Sequence, residues 1–366
     1  MYLKHLQLHH FKNHVESIFS FNDKVICFVG NNGAGKTNIL DAIHYLSKTK
    51  SYFNHIDSQN IRFNSKYFNL KGVFHKDNTD IEIQCNVIEG DGKIIKNNQK
   101  KYKRFSEHIG KFPIVIISPT DTDLIIEGSD VRRKYIDSCI SQYNSSYLQL
   151  LIKYNRSLKQ RNTLLRQFNE QNYFDNTTLE IYNEQLINYG NAIHQERCNF
   201  VQELSPILIK YYSEISDNKE DISLRLESQL FDKNFHVLLK ESLFKDRKSN
   251  YTQCGIHKDD IIFLMNDYPI KKIGSQGQQK SFLISLKLAQ FEFMKNKIGI
   301  KPILLLDDIF DKLDNKRVEK LIKMVNKQLF GQVFITDTQK GRIQNIFNSS
   351  NIKHSIFTIE NGSVYL

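Results

Sequence analysis

Cysteine is scarce in this chain, with five in 366 residues. Cys27, Cys85, Cys139, Cys198 and Cys254 stand far apart and form no C-x-x-C pair. That usage points to neither a zinc site nor a disulfide framework, and it fits a reducing compartment. No apolar run approaches the length of a membrane span. The residues after Met1 lack the apolar region of a secretory signal. Internal repeats and low-complexity linkers are also lacking. The expectation is a soluble, cytoplasmic protein. What the chain has in excess is positive charge: 51 Lys and Arg against 40 Asp and Glu, for a formal net charge of +11. That balance favours a polyanionic partner, nucleic acid first and an anionic membrane surface second. The length suffices for a large core and two lobes.

One stretch organises the rest. Gly30-Asn31-Asn32-Gly33-Ala34-Gly35-Lys36-Thr37 fits the pattern of Gly, four residues, Gly-Lys-Ser/Thr. The apolar run Val25 to Val29 before it reads as a buried parallel strand. Ile39, Leu40, Ala42, Ile43 and Leu46 after it recur at helical spacing. In this strand–loop–helix context the glycines let successive backbone N–H groups face phosphate oxygens. The helix N-terminus adds partial positive charge there. Lys36 is expected at the β- and γ-phosphates of ATP, and the Thr37 hydroxyl on Mg²⁺.

Along the chain, Leu3, Leu6, Leu8 and Phe11 suggest a strand and turn. Phe68 to Phe74, Ile81 to Ile88 and Lys93 to Ile95 read as further strands, and Ile114 to Ile117 as a buried one. The period becomes helical after Asp121. Leu148, Leu151, Leu158, Leu165 and Phe168 share one helix face. Leu179, Tyr182, Leu186, Tyr189, Ile193, Phe200 and Leu204 form a heptad seam. A loop near Asn169 to Asn176 would fold the two helices into an antiparallel hairpin, and the seam is short enough for packing within a lobe. Strands resume at Ile261 to Met265, Ile303 to Leu306, Val333 to Thr336, His354 to Glu360 and Ser363 to Tyr365. The sheet begun at the N-terminus is thus completed near the C-terminus. The expected fold is α/β, a head of residues 1–120 and 250–366 with a mostly α-helical lobe, 121–249, inserted.

Leu304-Leu305-Leu306-Asp307-Asp308 supplies a second phosphate-site pattern. Asp307, at the carboxyl end of a buried strand, would hold Mg²⁺ opposite Thr37. Asp308 could orient the attacking water or accept its proton. Gly274-Ser275-Gln276-Gly277-Gln278-Gln279-Lys280 opens a helix with Ser, Gly and amides, a second anion-binding N-terminus. One triphosphate is already wrapped by the first loop. Ser275 and Gly277 are therefore expected to meet the γ-phosphate bound to another subunit, so that ATP joins two chains.

This ordered set resembles the ATPase heads of ABC and SMC-like proteins, and more narrowly the RecF family of bacterial DNA replication and repair proteins. The resemblance is carried by Phe11-Lys12-Asn13, the phosphate (Walker A) loop, Ile117-Ser118-Pro119 with Leu124 to Gly128 and Arg132-Arg133, and Tyr154-Asn155-Arg156 with Leu158 to Asn162 and Leu164-Leu165. It continues through Gly255-Ile256-His257-Lys258-Asp259-Asp260, the signature Ser275 to Lys280, the Walker B run Leu304 to Asp308, and Leu313-Asp314. The resemblance implies a P-loop ABC/SMC-type head with an inserted helical lobe. It implies a slow, DNA-stimulated ATPase that dimerises on ATP at gapped or single-strand/double-strand-junction DNA and promotes recombinase loading. RecR-type and RecO-pathway partners are implied with it. The chain departs from the wider ABC pattern in three places. Asp308 stands where many ABC ATPases have Glu, Ile335 to Thr338 contains no switch histidine, and no glutamine loop is evident near Ser118.

Two basic runs are candidates for DNA: Lys93, Lys96, Lys100, Lys101, Lys103 and Arg104 around Tyr102, and Lys153, Arg156, Lys159, Arg161 and Arg166. Each has the alternative of a solvated surface. His257 beside Asp259 and Asp260 has no further ligands at metal-site spacing, which favours a structural or nucleotide-sensing role. A nuclease would need a further acidic domain. A transporter ATPase would carry a signature closer to Leu-Ser-Gly-Gly-Gln. The remaining alternative is an ATP-gated DNA clamp with negligible turnover, acting through a protein partner.

Overall fold

The computed structural model describes residues 1–216, 220–310, 317–320, 324, 329–349 and 352–365. The chain opens with β1 (Tyr2–Phe11), β2 (His14–Ser20), β3 (Val25–Val29), α1 (Lys36–Lys48), β4 (Tyr67–Lys76), β5 (Thr79–Ile88), β6 (Gly92–Asn97), β7 (Lys100–Lys101) and β8 (Ile114–Ile117). A helical section follows: α2 (Asp123–Ile126), α3 (Ser129–Tyr143), α4 (Ser145–Glu170) and α5 (Asn176–Ser216), then β9 (Ile222–Glu227), α6 (Phe235–Ser249), β10 (Asp260–Met265), β11 (Tyr268–Pro269) and α7 (Ile270–Ile273). The chain ends with α8 (Gln276–Ile298), β12 (Ile303–Leu306), β13 (Val333–Asp337), a helix Lys340–Ser349, β14 (His354–Glu360) and β15 (Ser363–Tyr365). Two compact units result. The first comprises Met1–Asp121, Tyr211–Asp217 and Gln276–Leu366; the second comprises Thr122–Lys210 and Asn218–Ser275.

The first unit holds two six-stranded sheets. One is antiparallel, in the order β2-β1-β4-β5-β6-β7; the other runs β15-β14-β3-β13-β12-β8 and is parallel except at β15. Their sequences explain the difference. β3, β8, β12 and β13 are buried at every position, as strands covered on both faces must be, whereas β4 alternates buried and half-buried residues. α1 is covered nearly all round. Its Ile39, Leu40, Ile43 and Leu46 belong to one apolar core with Leu3, Phe68 and Ile83 of the antiparallel sheet and Ile26, Phe28, Leu305 and Phe334 of the parallel one. A helix buried on all sides places its N-terminus with little freedom, and that terminus carries the phosphate loop.

The second unit is a helical body with a small antiparallel sheet, β11-β10-β9. α4 and α5 form an antiparallel hairpin. Ser157 Oγ donates to Gln185 Oε1 at 2.7 Å, and Leu165, Phe168 and Leu179 close the end next to the turn. Leu179, Leu186, Ile193, Phe200 and Leu204 of the seam are all buried, and Tyr182 and Tyr189 are half-buried. The deepest stripe on α4 is not the leucine face, however. It is Tyr147, Tyr154 and Arg161, spaced by seven.

The expected return to the head at residue 250 is corrected. β10 pairs with β9, so residues 250–275 belong to the second unit. Arg161 is corrected as well. It is fully buried, paired to Asp246 at 2.7 Å and donating to Asn183 and Thr252, so it cannot serve as a cation for DNA. Arg197 is buried likewise, between Asp137 at 2.9 Å and Asp259 at 2.7 Å. Arg132 holds Asp260 with two parallel bonds of 2.7 and 2.8 Å. His257 sits in this network. Burial lowers its pKa to about 4, so its neutral ring donates from Nε2 to Thr252 O and accepts the Tyr154 hydroxyl at Nδ1. The residues that look like a family signature here are a buried polar core. Truncating one member strands its partner's charge: Arg161→Ala should cost about 3–5 kcal/mol in urea unfolding, and adding Asp246→Ala should recover part of that.

Candidate nucleotide site

β3 and β12 run parallel on either side of β13, so their carboxyl ends open on the same edge of the sheet. The phosphate loop leaves β3 there and enters α1 at Lys36. Gly30, Gly33 and Gly35 have φ of 156°, 79° and 111°. At Gly35 the left-handed backbone is only half of the requirement, because a Cβ would stand 2.7 Å from Asn13 and His14 side-chain atoms. Those two residues brace the loop from beneath. Asn13 Nδ2 donates to Gly33 O and Ala34 O at 3.3 and 3.1 Å and its Oδ1 accepts from Asn38; His14 Nε2 donates to Gly35 O at 3.1 Å. From the far end of the chain, Gly362 N donates to Ala34 O at 2.9 Å. Asn31 and Asn32 are the loop's turn residues, and Ala34 is buried in the core.

Lys36 is 4% exposed, and its ammonium donates to Gly30 O at 2.9 Å and Asn31 O at 3.0 Å. It is thus curled onto its own loop, held by carbonyls rather than by a carboxylate. Thr37 Oγ1 donates to Asp307 Oδ1 at 2.8 Å across 270 positions of sequence. Two further hydroxyls meet the same carboxylate: Thr336 Oγ1 at 2.9 Å and Ser118 Oγ at 3.5 Å. Burial raises the Asp307 pKa; the Thr37 and Thr336 hydroxyls pull it down, and the neighbouring Asp308 charge pushes it up again. Among the described residues no cation pairs with Asp307. A carboxylate ringed by hydroxyls and lacking a cation is a ready ligand for a small divalent ion.

Asp308 lies beyond the strand end with φ of 44°. Thr336 Oγ1 accepts its N–H at 2.9 Å, while its own Oδ1 is screened from solvent with no hydrogen-bond partner among the described residues. An acceptor left open in this way is costly unless a bound molecule supplies the donor. The structure therefore gathers Lys36, Thr37, Asp307 and Asp308. Sequence reasoning missed His14, Ser118, Thr336 and Gly362, since single polar residues on strand ends carry no spacing signal. Ser275 immediately precedes α8, and Gly277 lies in its first turn. Leu313-Asp314 falls outside the described residues.

Of the first basic run, Lys93 is engaged with Asp57 at 2.7 Å and with Thr49 O, and Tyr102 is buried. Lys100, Lys101, Lys103 and Arg104 are exposed on and beyond the β6–β7 hairpin, with Lys96 half-buried beside them; among the described residues these five form no ion pair. Lys153, Arg156, Lys159 and Arg166 are exposed on α4. No cluster of three or more His, Cys, Asp or Glu suited to a metal occurs among the described residues, and no described helix is long and apolar enough to cross a membrane.

Comparison with known proteins agrees on one family. The family model described as the RecF/RecN/SMC N-terminal domain matches residues 2–361. A DNA replication and repair protein RecF from Flavobacterium johnsoniae is 50% identical over 359 residues, covering 98% of this chain and all of that one. Its namesake from Phocaeicola vulgatus is 43% identical over 366 residues, covering 100% and 98%. A solved structure of the recombination mediator protein RecF with ATP, in the RecFOR pathway, aligns with a TM-score of 0.89 at 33% identity, over 100% of this chain and 97% of that one. An SMC head domain from Pyrococcus furiosus aligns at 0.56 with 17% identity over 99% and 95%, a likeness of fold.

The buried Asp307 carboxylate generates a prediction for the ligand-free protein. Its pKa is raised on folding, so the ionised form opposes folding above that pKa, and the penalty fades as pH falls through it. Asp307→Asn should therefore raise the melting temperature at neutral pH, and the gain over wild type should shrink in acid.

Proposed function

The chain belongs to the RecF family of DNA replication and repair proteins, within the RecF/RecN/SMC N-terminal domain family, and on that premise we propose that it is an ATP-driven DNA-binding switch of replication and recombinational repair. The single observation that carries the nucleotide part is the 2.8 Å bond between Thr37 Oγ1 and Asp307 Oδ1. It joins the phosphate loop to a carboxylate placed to share a metal with it.

In this reading ATP sits on the loop formed by Gly30, Asn31, Asn32, Gly33, Ala34, Gly35, Lys36 and Thr37. Lys36 exchanges the carbonyls of Gly30 and Asn31 for β- and γ-phosphate oxygens, which offer it charge where the carbonyls offer dipoles. The first N–H groups of α1 face the same oxygens. Thr37 and Asp307 have the hard oxygen donors that Mg²⁺ prefers, and the ion when bound would neutralise charge on the phosphates. Asp308 Oδ1, unpartnered and screened, accepts a hydrogen bond from the attacking water and takes its proton. Ser275 and Gly277 of a second copy close on the γ-phosphate, so nucleotide occupancy is read as dimerisation. DNA binds in that state, at gaps or single-strand/double-strand junctions, through cations such as Lys100, Lys101, Lys103 and Arg104. Turnover is slow and stimulated by DNA, and it releases the complex so that a recombinase can load. The pathway named for the structural neighbour supports RecR- and RecO-type proteins as partners.

Sedimentation with ATP·Mg²⁺, ADP or no nucleotide tests the switch. The expected outcome is a dimer with ATP alone, lost in Ser275→Arg while ATP still binds; a dimer that survives Ser275→Arg would end the trans role. The DNA surface is tested by salt titration of binding to gapped duplex. Replacing Lys100, Lys101 and Lys103 with Ala should weaken binding at every sequence and reduce the slope of log K against log salt by up to about 3.

A further inference from the structure

α8 begins at the signature and carries a buried cation that the scheme above leaves unused. Lys287 is 3% exposed, and its ammonium lies 2.6 Å from Asp121 Oδ1, itself 3% exposed. Tyr52 completes the cluster. Its hydroxyl donates to the same carboxylate and accepts from Lys287 Nζ at 3.2 Å, while the ammonium stands 5.5 Å over the ring. Tyr52 is fixed in turn, because its N–H donates to Asp41 Oδ1 on α1 at 2.7 Å.

The other oxygen of Asp121 is directed elsewhere. Oδ2 accepts the N–H of Ser118 at 2.8 Å, and Asp121 N donates to Ser118 O at 3.0 Å, so the turn after β8 is closed from both sides. The Ser118 hydroxyl emerges from that turn 3.5 Å from Asp307 Oδ2, with Thr120 Oγ1 at 3.3 Å on its flank. A continuous run of polar contacts therefore leads from the middle of the signature helix to the carboxylate beside Thr37. Such a run of buried polar groups is expensive to desolvate.

We propose that Lys287 is a positioning residue for hydrolysis: through Asp121 and Ser118 it sets the orientation of Asp307, so that the placement of α8 is read at the metal-binding carboxylate. The turn Ser118-Pro119-Thr120-Asp121, near which no glutamine loop is evident, supplies a backbone N–H and a serine hydroxyl for the coupling. A shift of α8 when its signature engages nucleotide would then alter the Ser118–Asp307 contact, which at 3.5 Å has room to shorten. This inference rests on the ATPase reading above.

The test is a set of variants in the full-length protein, assayed for turnover at saturating ATP·Mg²⁺ and, separately, for equilibrium binding of a non-hydrolysable ATP analogue. Lys287→Met, Tyr52→Phe and Ser118→Ala should each lower turnover by about tenfold. Binding of the analogue should change by less than about twofold, and Lys287→Arg should restore most of the turnover. Because one path carries the effect, Lys287→Met with Ser118→Ala should be no slower than Ser118→Ala alone. Losses that multiply in the double variant, or a folded Lys287→Met with wild-type turnover, would overturn the proposal. If Lys287→Met fails to fold, the Tyr52→Phe and Ser118→Ala pair, which leaves the ion pair in place, decides by the same comparison. Wild-type protein that hydrolyses no ATP at all would instead remove the ATPase reading, and this inference with it.

Discussion

A buried carboxylate that meets hydroxyl groups, and no cation among the described residues, is the constraint on which the first unit depends. Asp307 is 4% exposed and meets Thr37, Thr336 and Ser118, but no cation among the described residues. These hydroxyls come from the start of α1, from β13 and from the turn after β8. They converge only because β12 lies between β8 and β13, and because β13 in turn lies beside β3, which launches the phosphate loop. Pairing Asp307 with a lysine would have been the simpler way to bury it. That would also have cancelled the charge that a metal ion needs to find. Hydroxyls lower the cost of burial without neutralising the group, so the site remains attractive to a divalent ion.

The second unit shows the opposite solution to burying charge. Arg161, Arg197 and Arg132 are each matched to carboxylates, at 2.7 to 2.9 Å, and further donors of each reach side-chain or backbone oxygens. Each of these cations is neutralised by a carboxylate, although one Arg161 terminal nitrogen and Asp259 Oδ1 are buried without a hydrogen-bond partner among the described residues. A core of this kind contributes less to net stability than well-packed apolar residues would, because desolvation offsets most of the attraction. Its geometry is nevertheless demanding, since planar guanidinium forks accept few arrangements. Residues from α3, α4, α5 and the β10 region are thereby held to one relative placement.

Much of this was legible in the sequence, for reasons that are local. The phosphate loop is a contiguous motif, and β3, β8, β12 and β13 are short unbroken apolar runs, which only strands covered on both faces require. The α4–α5 hairpin showed in its turn and its seven-residue spacing. What was not legible is long in range. Thr336 and Ser118 stand 29 and 189 positions from Asp307, and neither differs locally from an ordinary polar residue at a strand end. Arg161 looked like a surface cation because an arginine in a helix usually is one. Only its encounter with Asp246, 85 positions on, places it in the core. The boundary at 250 failed for the same reason, because an apolar strand does not announce which sheet it joins.

Asp308 carries the consequence furthest. A non-glycine residue at φ of 44° costs local stability, and an unpartnered buried oxygen adds to that cost. The surroundings must hold the conformation in place, and Thr336 does so by accepting the Asp308 N–H while donating to Asp307. One hydroxyl thus fixes the relative position of two acidic residues in different surroundings, the first ringed by hydroxyls and the second with an oxygen that has no hydrogen-bond partner among the described residues. Moving Thr336 would disturb both residues, the first at its carboxylate and the second at its backbone N–H. Where many ABC ATPases have a glutamate, this chain has an aspartate, whose shorter arm cannot compensate for such a displacement by swinging out. In the proposed reaction, the backbone geometry at β12 and β13, rather than side-chain flexibility, would therefore set how well the attacking water is placed.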